Sequence, residues 1–210
     1  MMLKILVLYY SQNGSVLNLA REIAKGIDSM AGCEAVLRTV PKVSTVCEQV
    51  ADSIPDSGAP YVSIDDLRTC AGLAMGSPTR FGNMAAAMKY FLDGTSGVWL
   101  SGDLIGKPAS VFTSSSSMHG GQESTLLTMM VPLLHQGMMV MGVPYSEADV
   151  GSTKTGGTPY GASHVSGGEG KNQLSPAEKR IAFAQGKRLA QTALQLSLGQ
   201  NQLWALDIRV

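Results

Sequence analysis

The chain opens on the feature that most constrains its fold. An apolar run, Ile5-Leu6-Val7-Leu8-Tyr9-Tyr10, gives way after one short polar loop to a helical pattern. The run does not alternate, so it reads as a strand buried on both faces, as in a parallel sheet. Beyond it, Val16, Ala20, Ile23 and Ile27 recur at helical spacing, with Arg21, Glu22 and Lys25 on the other face. Between strand and helix lies Ser11-Gln12-Asn13-Gly14-Ser15, which offers hydroxyls, amides and a glycine at a helix N-terminus. Free backbone N–H groups and the helix dipole favour an anion there, most often a phosphate. Two readings stand at this point: a phosphate loop, or a helix capped by Ser15 with no ligand.

The same alternation continues along the chain. A second strand is expected at 35–40 and a short capped helix at 63–67. A third strand is expected at 71–76 and a helix over 83–92. A fourth strand at 109–113, a helix over 122–136 and a fifth strand at 138–143 follow. Ser175-Pro176-Ala177-Glu178 then announces a last helix, with an N-cap, a proline at the first helical position and a capping-box glutamate. Strands alternating with helices predict a parallel sheet with right-handed crossovers. The reading is one α/β domain over 1–198, with surface excursions at about 41–63 and 144–174 and a separate tail over 199–210. In that tail Gly199 is expected to break the helix. Trp204, Leu206, Ile208 and Val210 then alternate with smaller or charged residues, a strand-like pattern expected to dock in extended form.

In an open parallel sheet, ligands sit beyond the carboxyl ends of the strands. The loops after the first, third and fourth expected strands are the ones rich in Ser, Thr, Asn and Gly, so all three are expected to converge at that edge. No Gly-x-Gly-x-x-Gly follows the first strand and no Walker lysine pattern is present, which argues against a Rossmann dinucleotide site and a nucleoside triphosphatase. A cradle of hydroxyls and amides without lysine suits a tightly held monophosphate cofactor such as FMN.

Composition narrows the partners. Sixteen basic residues balance sixteen acidic ones, so no nucleic-acid or anionic-membrane footprint is expected. The three cysteines, Cys33, Cys47 and Cys70, are far apart, which indicates neither a metal site nor a disulfide framework. No run of ~18 apolar residues is present, so no membrane span is expected. The opening apolar run is too short for a secretion signal, and the expected location is the cytoplasm.

Several stretches are more specific than this chemistry: LVLYYS, GSPTRFGNM, FLDGTSGVW, GKPASVF, HGGQE, LLHQGM and GGTPYGASH, spread over residues 6–164. Through them the chain resembles the WrbA-type NAD(P)H:quinone oxidoreductases. The resemblance implies a flavodoxin-like, doubly wound, five-stranded parallel sheet in the order 2-1-3-4-5. It also implies one FMN per subunit, NADH or NADPH as electron donor, a quinone as substrate and a homotetramer, a dimer of dimers. Ser11, Gln12, Asn13, Gly14, Ser15 and Val16 match the family's phosphate loop. Pro78, Thr79, Arg80, Phe81, Gly82 and Asn83 match the loop along the isoalloxazine. Ser114, Ser115, Ser116, Ser117, Met118, His119 and Gly120 match the loop on the other side of the ring. His135 matches a histidine brought to the flavin region. Trp99 matches an aromatic that closes the pocket over the flavin, in similar enzymes from a neighbouring subunit. Two departures stand out: Asn13 replaces a frequent tyrosine, and Ser114-Ser115-Ser116-Ser117-Met118-His119 is bulkier than the family's usual loop.

The resemblance implies that a reduced nicotinamide passes hydride to the flavin N5 and leaves, and that a quinone then enters the same slot, which gives ping-pong kinetics. Simpler readings accompany each residue. His135 also suits a helix C-terminus, Trp99 suits a core or interface, and His119 and His164 suit the surface of loops. Met129, Met130, Met138, Met139 and Met141 read as core or contact filling. The alternative function is a flavodoxin-type electron carrier. Such carriers are strongly acidic, whereas this chain is neutral.

Overall fold

The computed structural model describes residues 2–43 and 58–205. Most of the expected 41–63 excursion, and the last residues of the tail, lie outside them. Strand β1 (Leu3–Tyr9) leads through the Ser11–Gly14 loop into helix α1 (Ser15–Asp28) and then β2 (Cys33–Thr39). Short α2 (Ile64–Thr69) begins on Ser63, whose hydroxyl accepts from the Asp66 amide while the Asp66 carboxylate accepts from the Ser63 amide. That reciprocal pair is the capping box that places the next strand.

β3 (Gly72–Arg80) runs beyond the expected end at Gly76 and turns back through an antiparallel pair with β4 (Asn83–Met84). The expected helix over 83–92 therefore starts later, as α3 (Ala86–Asp93), because Asn83 and Met84 are committed to β3. Short α4 (Ser96–Ser101), which carries Trp99, was not expected. β5 (Pro108–Ser115) also runs further than expected, so Ser114 and Ser115 are strand residues and are buried. α5 (Gln122–His135) follows, then β6 (Met139–Val140), α6 (Ala148–Ser152), β7 (Ser163–Val165) and α7 (Pro176–Ala205).

The parallel strands lie in the order β2-β1-β3-β5-β6, which in this numbering is the expected 2-1-3-4-5. The lack of alternation in β1 is explained by its two covered faces. Ile5, Val7 and Tyr9 pack in a core with α1 and α7 residues such as Leu19, Ile23, Ile181 and Leu189. Leu6, Leu8 and Tyr10 pack on the other side with Met88, Val98, Leu126 and Met129. The sheet is thus doubly wound, with helices on both faces.

The fifth strand position departs from expectation. On the side of β5 away from β3, β6 pairs with its start, at Pro108 and Ala109, whereas β7 pairs with its end, Thr113 to Ser115. The chain between them leaves the sheet and returns, so the 144–174 excursion contains both a helical turn and a sheet strand. Gln185 of α7 pins the return: its side chain accepts from the Ala162 amide at 2.6 Å and donates to the Val111 carbonyl at 3.0 Å.

α7 supplies a further correction. It continues through Gly199 to Ala205 instead of stopping, so the segment 199–205 is helical and not extended. A helical glycine costs only about 1 kcal/mol relative to alanine, too little to end a helix that is anchored upstream. Residues 206–210, which carry the rest of the strand-like pattern, lie outside the described residues.

Candidate active site

Three strand ends and one further loop enclose a cleft of about 210 Å³ at the carboxyl edge of the sheet. Ser11, Gln12, Asn13, Ser15 and Val16 line it from the β1–α1 loop, Pro78, Thr79 and Arg80 from β3, and Ser114, Ser115 and Ser116 from the end of β5. The convergence expected from the sequence is therefore present.

The start of α1 gives this cleft its character. The N-cap is Gly14, with φ +87°, and not Ser15, and as a glycine it brings no side chain to cap the Ser15 and Val16 amides. The first turn holds no acidic residue, and the Ser11 hydroxyl accepts from the Leu17 amide at 3.3 Å. An α-helix leaves its first N–H groups without intrahelical partners, and a cap or a ligand must satisfy them. Here they open into a cleft lined by hydroxyls. Thr79 is held in place as its Oγ1 accepts from the Thr125 hydroxyl at 2.7 Å, and the Tyr10 hydroxyl donates to the Gln12 side chain at 2.8 Å. The donor set fits the phosphate end of an FMN. Among the described residues, only Arg80 and Glu169 bring charge to the lining, and Glu169 is paired with Lys171 at 2.7 Å.

The remaining expected residues lie around the cleft rather than in its lining. Phe81 and Gly82 form the tip of the β3–β4 turn, both at positive φ, and Phe81 is fully exposed. A Cβ on Gly121, at the start of α5, would meet the Gly82 Cα at 3.0 Å, so this tip and the loop after β5 touch backbone to backbone. Ser117, Met118, His119 and Gly120 make that second loop; its turn closes through the Gly120 amide on the Ser117 carbonyl. The Ser115 hydroxyl donates to the same carbonyl at 2.7 Å and accepts from buried Gln122 at 2.8 Å, which fixes the loop to α5.

His135 and Trp99 line a different feature, a broad and mainly apolar groove of about 1000 Å³ shared with Arg80, Asn83, Val131 and Pro132. Gln122, bonded to the cleft residue Ser115, and His135 are the two ends of α5, about 20 Å apart along a helix of that length. Arg80 belongs to both features.

Sequence reasoning missed the fourth wall. Ser166, Gly167, Gly168, Glu169 and Gly170, just beyond β7, line the cleft as well. A Cβ on Gly170 would lie 3.5 Å from the Asn13 side-chain nitrogen. The signal was the glycine cluster itself, in a stretch without periodicity. His164, expected on a loop surface, is instead buried, with 1% exposure, as is Glu178 beside it. The His164 Nδ1 lies 3.0 Å from one Glu178 oxygen, and its Nε2 lies 3.1 Å from the Asn172 carbonyl. Burial raises the Glu178 pKa. Hydrogen bonds from His164 and from the Ser175 and Gly156 amides outweigh it, so the carboxyl is held down at about 2.

This architecture is that of a flavodoxin-like α/β protein with a hydroxyl-lined cleft at the carboxyl edge of its sheet. A sequence profile of the NADPH-dependent FMN reductase family matches residues 3–151, and the chain belongs to that family. It is 43% identical over 204 residues to a protein of Geobacter sulfurreducens named NAD(P)H dehydrogenase (quinone), covering 93% of this chain and all of that one. A protein of the same name from Geobacter metallireducens is 42% identical over 203 residues, covering 92% of this chain and 99% of its own. Among solved structures, the flavodoxin-like WrbA-like protein of Agrobacterium tumefaciens superposes with a TM-score of 0.64 at 20% identity, over 91% of this chain and 98% of that one. That likeness speaks for the fold.

Proposed function

We propose that this chain is an FMN-dependent oxidoreductase that reduces quinones by two electrons with NADH or NADPH. The observation that carries the proposal is the start of α1, with a glycine N-cap, opening into a cleft lined by Ser11, Ser15, Thr79 and Ser114. Relatives over the whole chain named as quinone dehydrogenases support the substrate class. When bound, the flavin supplies hydride acceptance from a reduced nicotinamide and two-electron delivery to a quinone. The chain's own residues bind and orient. The Ser11–Val16 loop holds the phosphate, Thr79 and Arg80 line the route from the cleft towards the groove, and the loop 114–120 closes the opposite side. No side chain serves as a nucleophile. Nicotinamide and quinone use the same slot in turn, so turnover is ping-pong.

The apolar groove supports assembly as a homotetramer. It exposes Trp99 and Val131 beside His135, and in an assembly these residues wall the substrate slot of a neighbouring subunit. The expected location is the cytoplasm; no described helix is long and apolar enough to cross a membrane.

Purified protein loaded with FMN tests the reading. It should show flavin absorption bands and reduce benzoquinone with NADH or NADPH, giving parallel double-reciprocal lines. Flavin binding without turnover on free quinone would instead favour an electron carrier.

A further inference from the structure

Glu178 does more than its place in the capping box requires. One of its oxygens accepts from the Gly156 amide at 2.8 Å and the Val165 amide at 3.1 Å; the other accepts from the Ser175 amide at 2.7 Å and faces the His164 Nδ1. A single buried carboxylate thus gathers three separate stretches of chain. Such a group is stable in the interior only with its acceptor sites filled, as they are here.

His164 carries the link onward. Its two ring nitrogens face two acceptors, the Glu178 carboxylate and the Asn172 carbonyl, so the ring bridges the anchor and the loop. Asn172 in turn closes the loop that forms the fourth wall of the cleft. Its amide donates to the Ser166 carbonyl at 3.0 Å, and its side chain donates to the Val165 carbonyl at 3.1 Å. A Cβ on Gly167 would lie 2.9 Å from that same side-chain nitrogen, so the loop is folded directly onto Asn172. The far end of the wall, at Gly170, meets Asn13 of the phosphate loop.

We propose that His164, anchored by Glu178, is a positioning residue for the cofactor cleft: through the Asn172 carbonyl it holds the 166–170 wall against the phosphate loop. The wall has no regular secondary structure of its own; Ser166 is held to β5 by its amide and hydroxyl, both donating to the Ser115 carbonyl at 2.8 and 3.0 Å, and the tie at Asn172 supports the residues beyond it. The inference rests on the flavin reading for its consequence but not for the tie itself. Because the wall abuts Asn13, loosening it weakens the hold on the phosphate more than the hold on the ring.

Two variants separate the links. His164→Asn places an amide nitrogen where Nδ1 was, keeping a donor to Glu178 and losing the reach to Asn172. His164→Gln places one where Nε2 was, keeping a donor to Asn172. Hydrogen exchange of the full chain without flavin reads the tie, and flavin fluorescence titrations with FMN and with riboflavin read its consequence. In His164→Asn, amides in 166–170 should exchange about tenfold faster while β1 and α1 keep their protection. A wall in place only about one-tenth of the time raises the FMN dissociation constant about tenfold, with riboflavin binding changed far less. His164→Gln should stay close to the parent in both measurements. Parent-like exchange and FMN affinity in His164→Asn, or equal losses in the two variants, would overturn the proposal. If the parent binds no flavin, the proposed function fails while the exchange comparison still decides the tie. Should both histidine variants misfold, Glu178→Gln, which weakens the anchor that holds the His164 ring, must speed exchange in 166–170 while β1 keeps its protection, or the proposal falls.

Discussion

Gly26 of α1 and Gly186 of α7 face each other across the closest approach of two helices. A Cβ on Gly26 would sit 2.0 Å from the Phe183 carbonyl oxygen, and one on Gly186 would sit 2.0 Å from the Ile23 carbonyl oxygen. Neither obstacle can move without moving a helix backbone. The usual gain of up to about 1 kcal/mol from replacing a helical glycine by alanine is therefore reversed. Gly186→Ala should cost about 1–3 kcal/mol, read as a lower melting temperature. Gly199→Ala, on the same helix with nothing within 4 Å of the new Cβ, should leave stability unchanged or raise it. Equal effects at the two sites would refute the packing argument.

At Gly14 the constraint is conformational and not steric, since φ is +87° and nothing lies within 4 Å of a Cβ there. Valine in that left-handed conformation costs about 1–2 kcal/mol, which the loop relieves by turning its N–H groups away from the cleft. FMN affinity should fall roughly tenfold in Gly14→Val, with riboflavin affinity little affected. Identical losses for both flavins would mean that this loop does not hold the phosphate.

Glu178 sets an acid limit on the fold. Its folded pKa, about 2, lies below the ordinary value of 4.5. The stabilisation is therefore fully present above pH 4.5 and is lost as the pH falls towards 2. It amounts to something on the order of 3 kcal/mol. Denaturant melts across that window should show the loss in the parent. Glu178→Gln should be less stable at neutral pH and show a shallower acid slope. A parallel slope in the variant would assign acid sensitivity elsewhere.

How much of this was legible in the sequence depended on how local the signal was. The apolar run of β1, the spacing of Val16, Ala20, Ile23 and Ile27, and the Ser175–Glu178 box each lie within a few residues, and each placed its element. The ends of β3 and β5 were missed because Thr79 with Met84, and Ser114 with His164, are pairings across the sheet. β7 is three residues long in a glycine-rich stretch, too short for any period to show. His164 was misplaced for the same reason: its partner Glu178 is 14 residues away, and a polar side chain alone does not announce its burial.

Trp99 is 54% exposed on the single chain, and assembly should cover it. Central interface tryptophans cost at least about 2 kcal/mol on truncation, so Trp99→Ala should weaken subunit association about 30-fold. Light scattering over a dilution series checks this. A parent that scatters as a monomer at every concentration would remove the proposed tetramer.

The divided fifth strand position leaves the sheet without a long free border on that side. β5 is covered by a two-residue stub at one end and a three-residue stub at the other, with the intervening chain carried away and pinned by Gln185. A foreign strand recruits by reading a row of unpaired amides and carbonyls, and short interrupted borders offer little such text. The excursion that builds the fourth wall of the cleft therefore also guards the chain against edge-to-edge aggregation.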